Sequence, residues 1–167
     1  MDAIECLKTR RSVRSFTKEP VSKAVIEEIL ECGRWAPSGL NHQPWHVLVI
    51  TNEAMKQQLA TCTTYGHILL SAPCTLAIFL DTTKKYSYVK NVQGIGALFE
   101  NLLLAIHALG LGGVWLGQIY ENKAKVHAVL GITDPSWEFM GAIAFGHPAG
   151  QGSSDRKDLA SFTRFVE

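Results

Sequence analysis

Apolar residues in this chain fall into runs of two kinds. Val25, Ile26, Ile29 and Leu30 recur at helical spacing, with Glu27, Glu28 and Glu31 on other faces. That pattern predicts an amphipathic helix, capped by Ser22 and ending near Gly33. His46-Val47-Leu48-Val49-Ile50 is instead a short strand-like run, predicting a strand from about Trp45 to Ile50. After Pro73, Cys74-Thr75-Leu76-Ala77-Ile78-Phe79-Leu80 is continuous and predicts a strand covered on both faces. Val114-Trp115-Leu116 and Phe139 to Phe145 predict two more strands. Asp2 can cap a first helix through about Thr9, with a weak apolar face of Ala3, Ile4 and Leu7. Asn52 starts a short helix carrying Met55 and Leu59, and a further short helix runs from Asn122 to Leu130.

The stretch from about Gln93 to Leu109 is long enough for a helix and apolar nearly all round. Its polar members are Glu100, Asn101 and His107. Glu100 and His107 are seven residues apart and share one narrow stripe. Such a helix is central in the fold or sits at a subunit interface. Gly110-Leu111-Gly112-Gly113 ends it, and Gly146 to Ser154 is a loop rich in Gly and Ser. No repeat, low-complexity tract or linker interrupts the alternation of helices and strands. Residues 1–167 therefore read as one domain, a three-layer sandwich with helices on both faces of a mixed sheet.

Composition adds a partner and a compartment. The 167 residues carry 19% charged side chains, below the usual ~25%, which is consistent with surface covered by another subunit. A net charge of +1 excludes a general polyanion binder. Cys6, Cys32, Cys62 and Cys74 are dispersed, without a C-x-x-C pair, and read as free thiols in a reducing compartment. The opening Met1-Asp2-Ala3-Ile4-Glu5 does not resemble a signal peptide, and no apolar run reaches the ~18 residues of a membrane span. The expectation is a soluble, cytoplasmic protein.

Two segments stand out chemically. Arg10-Arg11-Ser12-Val13-Arg14 concentrates guanidinium groups and a hydroxyl where the first helix should end. Guanidinium binds phosphate through paired, charge-assisted hydrogen bonds. On the residues alone this is a phosphate site, a solvated basic turn or a nucleic-acid arm, the last lacking a broad basic face or reader motif. Ala36-Pro37-Ser38-Gly39-Leu40-Asn41-His42-Gln43-Pro44-Trp45 is a polar decapeptide stiffened by two prolines. It suits the rim of a planar heterocycle, or it is only a connector. Gly112, Gly113 and Gly117 flank an apolar strand and either end a helix or let backbone approach a flat ligand. G-x-S-x-G, G-x-G-x-x-G, the Walker P-loop and H-E-x-x-H are all absent. No metal site and no catalytic cysteine, histidine or carboxylate pair is expected.

Leu7 to Phe16 resembles the N-terminal signature of the FMN-dependent nitroreductase family, and Ala36 to Trp45 resembles its second signature. Glu100 to Gly112 is similar to that family's central helix and following turn. Met140 to Gly146 and the basic tail are similar to its last strand and C-terminal phosphate contact. The resemblance covers nearly the whole chain. It implies an α+β homodimer built on a three-layer α-β-α sandwich, with a mixed, mainly antiparallel sheet. It also implies FMN held at the subunit interface and a ping-pong reaction. NAD(P)H would donate hydride to flavin N5, and a nitroaromatic or quinone would then be reduced. Arg10, Arg11, Ser12 and Arg14 would hold the phosphate and ribityl chain, with Arg156 joining from the tail in preference to Arg164. Pro37, Ser38, Gly39 and Asn41 would line the ring from the partner. Backbone at Leu116, Gly117 and Gln118 would face N5. The same fold also supports reductive dehalogenation, flavin breakdown or a flavin-binding module without turnover. Between Asp81 and Gln93 this chain has only a brief connector where larger members insert covering helices, and Gln93 stands where relatives often carry Asp.

Overall fold

The computed structural model describes residues 1–167. Its elements run α1 (Ala3–Thr9), α2 (Lys23–Arg34), β1 (Trp45–Ile50), α3 (Glu53–Ala60), α4 (Gly66–Ser71), β2 (Cys74–Asp81), α5 (Tyr88–Ala108), β3 (Gly112–Leu116), α6 (Lys123–Leu130) and β4 (Trp137–Gly146). The expected caps are in place. Asp2 accepts the Glu5 N–H at 2.9 Å, Ser22 the Val25 N–H at 3.3 Å and Asn52 the Met55 N–H at 2.9 Å.

Two departures have local causes, and a third lies in α1. Helix α5 starts at Tyr88, ahead of the apolar run at Gln93, because Ser87 caps it through the Lys90 N–H at 3.5 Å and a polar first turn follows. Helix α4 has only six residues and no side-chain cap, too short for periodicity to reveal, yet Ile68 and Leu69 are buried on it. In α1 the buried residue is Cys6, while Ile4 and Leu7 of the expected apolar face are exposed.

The sheet order is β1-β2-β4-β3. All three strand pairings are antiparallel, and the parallel element is an isolated bridge between Ser12 and Gly113. Strands β2 and β3 run the same way and are joined by α5, but β4 lies between them. Alternate side chains on β2 then feed two cores. Cys74, Leu76, Ile78 and Leu80 pack with α2 and α5, whereas Ala77 and Phe79 pack with α3, α4 and α6. This is the three-layer arrangement. Helix α5 buries Leu98, Phe99, Leu102 and Ile106, each worth roughly 1.5–3 kcal/mol of transfer free energy.

One charge lies inside. Lys56 is fully buried, and its Nζ donates to Glu53 Oε1 at 2.7 Å and to the Ala72 carbonyl at 2.6 Å. It thereby ties α3 to the residue that ends α4. No helix is long and apolar enough to cross a membrane.

Candidate functional site

Helix α1 ends at Arg10, whose N–H closes the last turn on the Cys6 carbonyl at 3.0 Å. The chain then runs along the free edge of β3, where Val13 N–H donates to the Gly113 carbonyl at 3.0 Å. It continues beside the exit from β4: Thr17 N–H donates to His147 at 2.9 Å and Ala149 N–H to Ser15 at 2.9 Å. These bonds draw Gly150–Ser153 alongside Arg11–Ser15. Gly152 passes so close that a Cβ there would lie 2.5 Å from the Ser12 carbonyl oxygen. The result is a cavity of about 280 Å³ lined by Ser12, Arg14, Ser15 and residues 150–153, with no apolar side chain.

The arginines divide their work. Arg10 is mostly buried, its Nε 3.9 Å from Glu100 Oε1, and its Nη1 is sealed from solvent without a partner. A buried guanidinium N–H with no acceptor is costly, and an anion is one partner that would remove the cost. Arg11 instead donates from Nη1 to the carbonyls of Lys8 and Arg10 at 2.7 and 2.8 Å, so it caps the C-terminus of α1. Arg14 has one long bond, from Nη1 to the Ser12 carbonyl at 3.5 Å, and faces the polar cavity. Arg156 is exposed and bonds within its own loop, to Ser154 Oγ at 2.8 Å and the Asp155 carbonyl at 2.9 Å. It is not among the residues that line the polar cavity beside Ser12 and Arg14. The positive field is felt at His107, which shares a 2.9 Å hydrogen bond with Thr9 Oγ1. Burial first, then the charges of Arg10 and Arg11, push its pKa below the ordinary histidine value.

The decapeptide loop is strained. Leu40, Asn41 and Gln43 all have positive φ (54°, 55° and 48°), a conformation that costs roughly 1–3 kcal/mol for each non-glycine residue. Internal bonds hold it. Ser38 Oγ accepts the Gln43 N–H at 2.9 Å, and Gln43 Nε2 donates to Asn41 O and Oδ1, both at 3.2 Å. Leu40 and Asn41 are left exposed.

Helix α5 keeps this loop away from the arginines. Ser38 and Pro37 pack at Gly94, whereas Arg10 reaches Glu100 and Thr9 reaches His107. Those positions are six and thirteen residues further on, about 9 and 20 Å along the axis and more than 100° around it. Within one chain, Pro37 and Ser38 therefore meet a different face of α5 from Arg10.

Strand β3 links the arginines to Gly117 instead. From Gly113 to Gly117 is four residues, roughly 13 Å of strand. Gly117 is exposed and its N–H has no partner in the chain. Leu116 is buried. The Gln118 side chain is occupied, accepting from Thr63 Oγ1 at 2.7 Å and Thr64 N–H at 3.3 Å, so backbone is what this segment offers. Sequence reasoning missed the walls supplied by Gly150–Ser153, which read only as a small-residue loop. It also missed Tyr86, whose ring covers Gly39.

The nitroreductase family model matches residues 7–64 and 56–147. A protein of Archaeoglobus fulgidus, provisionally named an NADH dehydrogenase/NAD(P)H nitroreductase, is 36% identical over 162 residues, covering 93% of this chain and 89% of that one. The NADPH-flavin oxidoreductase of Vibrio harveyi is 28% identical over 159 residues, covering 88% and 66%. A crystal structure from Desulfovibrio desulfuricans, provisionally named a nitroreductase and solved in complex with FMN, superposes with a TM-score of 0.95 at 42% identity, covering 100% of this chain and 98% of that one.

Proposed function

The chain belongs to the nitroreductase family, and from that premise we propose that it binds FMN and uses NAD(P)H to reduce a small acceptor such as a nitroaromatic or quinone. The observation that carries this reading is the unpartnered, buried Arg10 Nη1 beside the polar Ser12–Arg14 segment. Hydroxyls, backbone amides and guanidinium groups suit a phosphate, and apolar lining would not. Arg10, Ser12 and Arg14 hold the phosphate and ribityl chain. Arg11 acts through α1 by fixing its end, and Arg156 joins by leaving Ser154. Bound there, FMN supplies the hydride chemistry in a ping-pong cycle. The exposed Gly117 N–H, with backbone of Leu116 and Gln118, would be the fixed donor available to the reactive edge of the ring. No thiol is asked to react, and burial pushes the Cys74 thiol up to about 12.

The protein should be yellow as purified and release FMN rather than FAD. Anaerobic NAD(P)H should bleach it, and a nitroaromatic or quinone should restore the colour. A colourless protein that takes up no FMN would sink the reading.

The ring-lining residues come from a second copy of the chain. Separation of the loop from the arginines along α5 supports this. So does the mostly apolar cavity of about 380 Å³ between α1 and α5, lined by Ala3, Cys6, Leu7, Leu104 and Ala108 among others. Sedimentation is expected to give a homodimer at micromolar concentration. A stable, flavin-loaded monomer would contradict the shared site.

A further inference from the structure

The connector into α5 and its first turn carry Lys84, Lys85 and Lys90, and no acidic residue lies between Thr82 and Val92. In a chain of net charge +1 this is a local excess. Of the nearby carboxylates, Glu138 is paired with a lysine, while Asp81 is held by Thr83 and its charge offsets part of the excess at Lys84. Asp81 Oδ1 accepts from Thr83 N–H and Oγ1 at 2.9 and 2.5 Å, and Glu138 Oε1 takes Lys123 Nζ at 2.9 Å. The segment encloses a cavity of about 290 Å³ lined by Lys84, Lys85, Tyr86, Tyr88 and Asn91 among others. The 21-residue helix α5 begins there, so its positive end adds to the lysines.

Asn91 is a second, independent sign of a ligand. It is only 4% exposed, and its Nδ2 is fixed by donating to the Lys84 carbonyl at 2.9 Å. Its Oδ1 is left buried with no donor. The cluster is also mechanically one with the decapeptide loop. Lys90 Nζ sits 2.9 Å from Tyr86 Oη and 4.7 Å from the ring centroid. The same ring lies over Gly39, where a Cβ would come within 2.5 Å of it, and meets the His42 ring edge-on at 6.0 Å. Wherever Ser38 and Asn41 meet a bound ring, Tyr86 and Lys90 stand beside it.

The geometry points to this segment as the wall that selects the electron acceptor, favouring an aromatic acid that carries an N–H or O–H donor. The inference rests on the flavin reading above. Tyr86 and Tyr88 offer flat surface, the lysines and the start of α5 attract the carboxylate, and Asn91 Oδ1 takes the donor.

The test pairs 4-amino-3-nitrobenzoate with its methyl ester, which keeps the ring, nitro and amino groups and removes the charge. Calorimetry on the flavin-loaded protein reads binding of each without turnover, and steady-state KM reads it during turnover. The acid should bind more tightly than the ester, less so at high salt. Lys84→Gln/Lys90→Gln should cut the acid-to-ester preference about tenfold, as loss of two partly exposed charges implies. Equal binding of acid and ester by the parent protein, or an unchanged preference in the variant, overturns the proposal. So does a variant that slows flavin reduction by NADPH while keeping its acceptor preference, since the lysines would then read the dinucleotide phosphate. Failure of NAD(P)H to bleach the flavin would instead remove the reading beneath it, and calorimetry would still report whether the acid is preferred.

Discussion

Arg10→Ala is expected to lower FMN affinity ten- to a hundredfold. The guanidinium is already in position, mostly buried and only loosely paired with Glu100 at 3.9 Å. Removing a charge-assisted hydrogen bond costs ~1.5–3 kcal/mol, and ~1.4 kcal/mol is a factor of ten in affinity. The flavin-free protein should hardly notice. Alanine removes a buried donor, Nη1, that has no partner in the chain, so the penalty of leaving it unpaired disappears along with the weak Glu100 contact. Titration of the apoprotein followed by flavin fluorescence measures the affinity, and the apoprotein melting temperature checks the fold. Arg10→Lys should fall between parent and alanine, because an ammonium keeps the charge and loses the planar fork. A folded alanine variant with parental FMN affinity would remove Arg10 from the site.

The largest stability effect is expected at Lys56. Lys56→Ala strips the Ala72 carbonyl of its buried donor and leaves space where the lysine stem packed. The unsatisfied carbonyl costs ~1–3 kcal/mol and the lost packing adds to it, so a total of about 3 kcal/mol is expected. For a chain of this size that lowers Tm by about 6–12 °C. Lys56→Met, which keeps the stem, should lose less. The pH dependence has a definite sign. The hydrogen bond from Lys56 holds the Glu53 carboxyl below its ordinary value. A carboxyl depressed on folding adds stability above its unfolded pKa and loses it as pH falls through the folded one. The gap between parent and alanine variant should therefore narrow in acid. Denaturant melts of the flavin-loaded proteins at neutral and acidic pH measure this, and a loss under about 1 kcal/mol at neutral pH would refute the role given to Lys56.

Lys56 also marks where sequence reading stops. A lysine beside Met55 on a short helix reads as solvent-facing. Only the carbonyl at the end of α4 makes its burial tolerable, and α4 itself was too short to foresee. By contrast, Asp2, Ser22 and Asn52 were legible as caps because a cap bonds a neighbour three residues away. The four strands were legible because β2 is apolar on both faces and each run is bounded by a turn or a helix. The order β1-β2-β4-β3 was not, since placing β4 between β2 and β3 depends on long-range pairing. The arginine segment was visible as a cluster. Which guanidinium caps a helix and which is left buried without an acceptor needed coordinates, as Arg11 and Arg10 demonstrate.

Helix α5 can be read as a ruler. One end carries the strained loop at Gly94 and the other carries the α1 junction at Glu100 and His107. Inserting a single residue between these points would turn one end about 100° against the other and slide it ~1.5 Å. A deletion would do the reverse, and no side-chain repacking absorbs a rotation of that size. A change of length between Gly94 and His107 would thus misalign the two attachments, whereas residues 82–87 lie ahead of the helix and outside the measured span. Within the helix, a lineage can trade one side chain for another and still has to keep the count.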